Sequence, residues 1–263
     1  MGMSADTTLS GLTAALFLGS ARGFGFAAVF PIFTLFQVTG LLAFGTAAAL
    51  SLPVILSVQN DFAAAGMPAP LLYLGLLVKE IGVGAALGAL LGAPFWAVLH
   101  GGALVDHYRG ATTPALYDPT AAVDTTSLAS LLSSIAALIY VSQGGIAETV
   151  DILWSSFRVW PVLEPWPTAG TGGPATIGHL MDAIFSRGLL FVAAFMILLV
   201  AIDLALVFLN RSTSQLPIFE LGSTAKNLAA VLLAVAVAWV LPNYVQAVWE
   251  PFLASARQIL GLP

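Results

Sequence analysis

The sequence predicts an all-α, polytopic membrane-type protein. Three observations predict it: 59% of the 263 residues are hydrophobic, only 8% are charged against about 25% in an average soluble domain, and apolar runs of near-bilayer length recur along the chain. The mean hydropathy is +0.97. A soluble fold of this size needs a polar skin, and these charges are too few to make one. The surface must therefore meet lipid or partner chains. The whole chain, 1–263, reads as one domain with about six hydrophobic helical segments.

A bilayer core of about 30 Å asks for about 20 apolar residues in a helix. The candidate runs are 12–33, 35–58, 70–99, 128–141, 184–209 and 227–241. The fourth and sixth are short for a span, so either semi-polar flanks extend them or they do not cross a bilayer. The first run follows "MGMSADTTLSG", which has no basic region before it, so an uncleaved helix is expected rather than a signal peptide. Gly2 lacks the downstream Ser/Thr that myristoylation favours.

The interruptions separate these runs. "VQNDFAAAGMPAP" is a turn, and "GALVDHYRGATTPALYDPTAAVDTT" reads as a polar connection. "WPVLEPWPTAGTGGPATIGH" is too rich in Pro and Gly for a regular element, and "NRSTSQLPIFELGS" is a polar turn between two helices. Ser223 is placed to cap the last helix, with Lys226 in its first turn. No internal repeat is visible.

The net charge is −5, from 13 acids and 8 bases. The bases have no cluster, which argues against a nucleic-acid partner. Arg22, Lys79, Arg109, Arg158, Arg187, Arg211, Lys226 and Arg257 are spread so evenly that the positive-inside rule does not orient the chain. The absence of cysteine excludes disulfides, iron–sulfur clusters and thiol chemistry.

The most informative stretch is "LLVKEIGVGAALGALLGAPFW", residues 76–96. On a helix, Glu80, Gly84, Gly88 and Gly92 form one stripe and Ala85, Ala89 and Ala93 the next. This small-xxx-small pattern lets another helix backbone approach closely. An ionised Glu80 facing lipid would cost roughly 2–3 kcal/mol or more, so it should face protein or water. Lys79 lies about 100° round the helix, so the two are not expected to pair with each other. Each should have its own partner, including one on another chain. For the glycines alone, a GxxxG helix in an ordinary bundle is the commoner explanation, and Lys79 with Glu80 shifts the balance toward function.

Other patterns carry less. "STAK" at 223–226 has S-x-x-K spacing but no K-T-G or S-D-N follows it. "AGTGGPATIG" lacks the Gly-Lys-Ser/Thr of a phosphate loop. His100, His107 and His179 have no metal-ligand spacing, so no metal or other cofactor is expected. Asp203, deep in the fifth run, suits an interhelical hydrogen bond or salt bridge, or an ion relay.

Two stretches together carry a resemblance. In "LVKEIGVGAALGALLGAPFWAVLHGGALVDHYRG" the residues are Lys79, Glu80, Gly84, Phe95, Gly102, Asp106, Arg109 and Gly110. In "FLNRSTSQLPIFELGSTAKN" they are Asn210, Arg211, Gln215, Leu216, Phe219 and Lys226. Both resemble the SctT family of the type III secretion export apparatus (YscT, HrcT, SpaR), the counterpart of the flagellar export protein FliR. The chain departs from the family pattern at Ala103, Ser214, Pro217 and Thr224.

The resemblance implies a non-enzymatic subunit of an inner-membrane export gate. Bent helical hairpins would stack into a helical hetro-oligomer with SctR-like and SctS-like subunits, raised toward the periplasm, with an SctU-like switch protein nearby. Unfolded polypeptides would pass through its pore. It also implies subunit contacts at Lys79, Glu80, Gly84, Gly88 and Gly92. Gly102, Asp106, Arg109 and Gly110 would form a gate or plug, and Asn210, Arg211, Gln215, Phe219 and Lys226 a partner-contacting turn. A stand-alone small-solute transporter or channel is the rival reading. An intramembrane enzyme is the third, and the failed motifs above argue against it.

Overall fold

The structure is a computed structural model that describes residues 5–38, 40–110, 127–166, 193, 195–208 and 218–259. Among these residues every regular element is a helix. In chain order they are α1 (Ala5–Val29), α2 (Pro31–Leu35), α3 (Leu41–Leu50), α4 (Leu52–Ala65) and α5 (Pro70–Tyr108). Then come α6 (Ser127–Ser142), α7 (Gly145–Val159), α8 (Phe195–Phe208) and α9 (Ile218–Ile259).

The breaks have local causes. Pro31 forces Phe30 into an extended conformation, which ends α1 and opens α2 at a position where no N–H is needed. The second apolar run is two helices, because α3 and α4 meet at Ser51 with a bend of 63°. Pro53 lies in the first turn of α4, and the Ser51 hydroxyl donates back to the Ala47 carbonyl at 2.8 Å. A further break at Gly144, with φ +83, separates α6 from α7, which is why the fourth run is short.

Among the described residues, by length and composition, 11–29 and α5 can each cross a membrane, and the count rises to four if each bent pair is one span. The sixth run belongs to a much longer helix, since α9 has 42 residues. Ser223 therefore lies inside α9 and does not cap it, and Lys226 stands beyond its first turn. The helix starts earlier than hydropathy suggests because "IFELGSTAK" holds no proline and places Glu220, Leu221, Ala225 and Lys226, all strong helix formers, ahead of the apolar run.

The chain divides into two compact units. The first comprises Met1–Ala93, Gly144–Ile177 and Phe252–Pro263. Its core gathers Ala15 and Leu18 of α1, Val58 and Phe62 of α4, Leu76 of α5, and Val162 from the turn after α7. The second comprises Pro94–Gln143 and Gly178–Pro251. Its centre is aromatic: Phe95 of α5 lies 5.2 Å from Tyr140 of α6 and 4.4 Å from Trp249 of α9, centroid to centroid. Outward faces stay apolar, as with Trp239 at 87% exposure and Ile197 at 71%, which fits a surface meant for lipid or protein rather than water.

Candidate functional site

The glycine stripe of α5 is a close-approach face, and α1 of the same chain occupies it. A Cβ on Gly84 would collide with the Arg22 carbonyl, one on Gly88 would stand 2.7 Å from the Phe26 carbonyl, and one on Gly92 would stand 2.5 Å from the Pro31 ring. The neighbour expected from another subunit is thus supplied internally. The physical reason is connectivity: α1 and its Gly25, which in turn needs space beside Ile81, pack as a complementary small-residue face.

That seam carries a buried charge cluster. The Glu80 carboxylate is fully buried and so is Arg22. The guanidinium donates to it twice, Nε to Oε2 at 2.8 Å and Nη2 to Oε1 at 3.0 Å. Its other donors reach the Ser156 hydroxyl at 2.9 Å and the Trp160 carbonyl at 2.8 Å, and its face covers the Phe157 ring at 4.0 Å. Four of its five N–H donors are thus paired, which limits the cost of burying a guanidinium, because each unpaired buried donor carries a desolvation cost.

Lys79 and Glu80 are partners after all. Lys79 Nζ stands 2.7 Å from Glu80 Oε1. The 100° between them on the helix is overcome by the long lysine stem, which curls back to a carboxylate held still by Arg22. The same ammonium donates to the carbonyls of Pro161, Val162 and Glu164 at 3.1, 2.9 and 3.0 Å. Arg22 is the residue that sequence reasoning missed. The available signal was an arginine in the middle of an apolar run, which demands an acidic partner in another.

Residues 102–108 are not a loop, because α5 continues through Tyr108, and only Arg109 and Gly110 turn. Gly102 lets α6 approach, since a Cβ there would lie 2.6 Å from Ala129 Cα. Asp106 is fully buried and caps α6 from outside: its Oδ2 accepts from the Leu128 and Ala129 N–H groups at 2.9 and 3.1 Å. Those N–H groups have no intrahelical partner, so a carboxylate there satisfies both and complements the helix dipole. Arg109 binds Asp106 at 2.7 Å, the Ser127 hydroxyl at 2.9 Å and the Asn227 side-chain carbonyl of α9 at 2.8 Å. Gly110, at φ +80, then turns the chain away. Four residues of one motif thus tie α5, α6 and α9 at a single node. Ser127 and Asn227 are its unforeseen members.

Lys226 of α9 pairs with Asp203 of α8 at 2.8 Å, and the Tyr108 hydroxyl donates to the same carboxylate at 3.0 Å. The ammonium also lies 5.2 Å from the Tyr108 ring centroid. Asp203 therefore makes an interhelical salt bridge, one of the two roles expected for it. Asn210, Arg211, Gln215 and Leu216 lie outside the described residues, and Phe219 stands in the first turn of α9. Among the described residues no three His, Asp or Glu side chains come together to hold a metal ion.

Comparison with known proteins places these features. The family described as "Bacterial export proteins, family 1" matches residues 13–252. The chain is 29% identical to the surface presentation of antigens protein SpaR of Salmonella typhimurium over 220 residues, 82% of each chain. It is 27% identical to the Yop proteins translocation protein T of Yersinia pestis over 160 residues, 61% of each. It is 31% identical to the flagellar biosynthetic protein FliR of Pectobacterium carotovorum subsp. carotovorum over 148 residues, 56% of each. The match thus spans about four-fifths of the first relative and less than two thirds of the other two.

Proposed function

Because the chain belongs to the family 1 bacterial export proteins, we propose that it is an export-apparatus subunit of a type III secretion system in the bacterial inner membrane. Together with SctR-like and SctS-like subunits it frames the pore through which unfolded polypeptides leave, and an SctU-like switch protein is its further neighbour. The single observation that carries this reading is the family match over nearly the whole chain, residues 13–252. The similarity to SpaR and to the Yop proteins translocation protein T favours the secretion branch by name, and FliR marks the flagellar relation. The whole chain, 1–263, serves as one functional domain, and its role is structural rather than catalytic.

Within this reading the residues divide by task. Gly84, Gly88 and Gly92, with Glu80, fix α1 on α5, Lys79 holds the turn after α7 beside them, and together they shape the surface offered to the other subunits. Gly102, Asp106, Arg109 and Gly110 form the gate hub, because a node that ties three helices limits how far any one can move. Asn210, Arg211 and Gln215 belong to the partner-contacting turn, with Phe219 and Lys226 beside it on α9. Arginine suits such a contact, since its planar fork binds carboxylate or carbonyl groups from two directions.

The test is affinity purification from membranes in mild detergent, followed by native mass spectrometry. A multi-chain complex containing one copy of this chain is the expected result. A monomer or homodimer would replace the gate with a stand-alone transporter.

A further inference from the structure

The turn that follows α7 is built around a charge from another helix. Residues 160–164 send the carbonyls of Pro161, Val162 and Glu164 to one point, where they meet Lys79 Nζ at 3.1, 2.9 and 3.0 Å. Glu80 Oε1 completes a set of four oxygens at 2.7 Å, and the Trp160 ring covers the ammonium with its centroid 5.4 Å away. Carbonyl dipoles with their negative ends together repel one another unless a cation sits between them, as in an ion-selective filter. The turn has few donors of its own to offset this, because Pro161 and Pro165 carry no N–H. Its internal bonds are Trp160 Nε1 to the Glu164 carbonyl at 3.0 Å and Glu164 N–H to the Pro161 carbonyl at 3.2 Å.

We propose that Lys79 is the resident structural cation of this turn, a positioning residue that folds 160–164 as a bound monovalent ion folds a loop. The ammonium supplies the charge that the converging carbonyls require, and Glu80, itself oriented by Arg22, holds the ammonium in place. The turn in turn drops Val162 into the core beside Leu18, Val58 and Leu76 and carries Trp166, 80% exposed, to the surface. With the lysine side chain removed, the four-oxygen cage becomes a site for a small monovalent cation of the ammonium class. This inference does not depend on the export-gate reading.

The chain has no cysteine, so one introduced thiol reports on one position. Val162→Cys, in the full chain in isolated membranes, is expected to react slowly with a membrane-permeant maleimide, because Val162 is buried. Adding Lys79→Ala should speed labelling by about tenfold or more, since each hydrogen bond from a charged donor is worth at least that factor. Ammonium or methylammonium chloride should restore most of the protection, and tetramethylammonium chloride at equal ionic strength should not. Lys79→Met, which fills the space without charge, should label quickly and gain nothing from ammonium. Val58→Cys in the Lys79→Ala background should stay protected. Unchanged labelling at Val162→Cys, equal rescue by tetramethylammonium, no rescue by ammonium, rescue of Lys79→Met, or loss of protection at Val58→Cys would each overturn the proposal.

Discussion

Replacing Glu80 by alanine leaves the buried Arg22 and the partly buried Lys79 with no carboxylate between them. Removing one member of a buried ion pair costs about 3–5 kcal/mol, because the remaining charge loses its compensation. The upper end applies here, since one carboxylate accepts two bonds from Arg22, at 2.8 and 3.0 Å, and one from Lys79 at 2.7 Å. Backbone carbonyls and Ser156 still hold both cations, which keeps the loss from growing further. Against a net stability of about 5–15 kcal/mol, a loss near 5 is a third or more of the total. At about 2–4 °C per kcal/mol for a chain of this size, the midpoint of thermal unfolding should fall by about 10–20 °C. The assay is heating of the detergent-solubilised, fluorescently tagged full chain, followed by size-exclusion chromatography of the surviving monodisperse fraction. Arg22→Leu combined with Glu80→Leu should lie closer to wild type than Glu80→Ala does, because exchanging a buried pair for apolar groups is often neutral. A midpoint for Glu80→Ala within about 2 °C of wild type would refute the reasoning, since by the same conversion that is under 1 kcal/mol.

In the same assay Gly84→Ala should lower the midpoint, because its Cβ collides with the Arg22 carbonyl, whereas Gly82→Ala, which meets open space, should raise it through a helix-propensity gain of up to about 1 kcal/mol. Asp106→Ala removes the cap of α6 and should speed amide hydrogen exchange at Leu128 and Ala129, with a stability loss of about 1–2 kcal/mol from the cap alone. Lys226→Ala should cost at most about 1 kcal/mol, because the Asp203 pair is partly solvated. Trp249→Phe should change the midpoint little or raise it, since the buried indole N–H has no acceptor among the described residues and an orphan donor carries a desolvation cost of about 1–3 kcal/mol.

Composition and the apolar runs by themselves determined that this chain is helical and membrane-type, because those properties add up residue by residue and need no knowledge of neighbours. The close-approach face of Gly84, Gly88 and Gly92 was legible for a related reason: helical periodicity is local, and a row of small residues four apart has one physical use. The two stretches 77–110 and 208–227 were legible together as a resemblance, which pointed to the export family.

Only the tertiary structure decided who meets whom. Arg22 finds Glu80 across 58 residues, Lys79 finds the Glu164 carbonyl across 85, and Arg109 finds Asn227 across 118. No spacing rule reaches that far, so a lysine and glutamate judged separate by helix geometry proved to be paired directly, on a carboxylate that Arg22 orients. Asp106 and Arg109 resembled loop residues because polarity usually marks a chain's exit to water. Here α6 brings its unpaired N–H groups and α9 brings Asn227, so the charges are satisfied inside the protein and the helix has no reason to end before Tyr108.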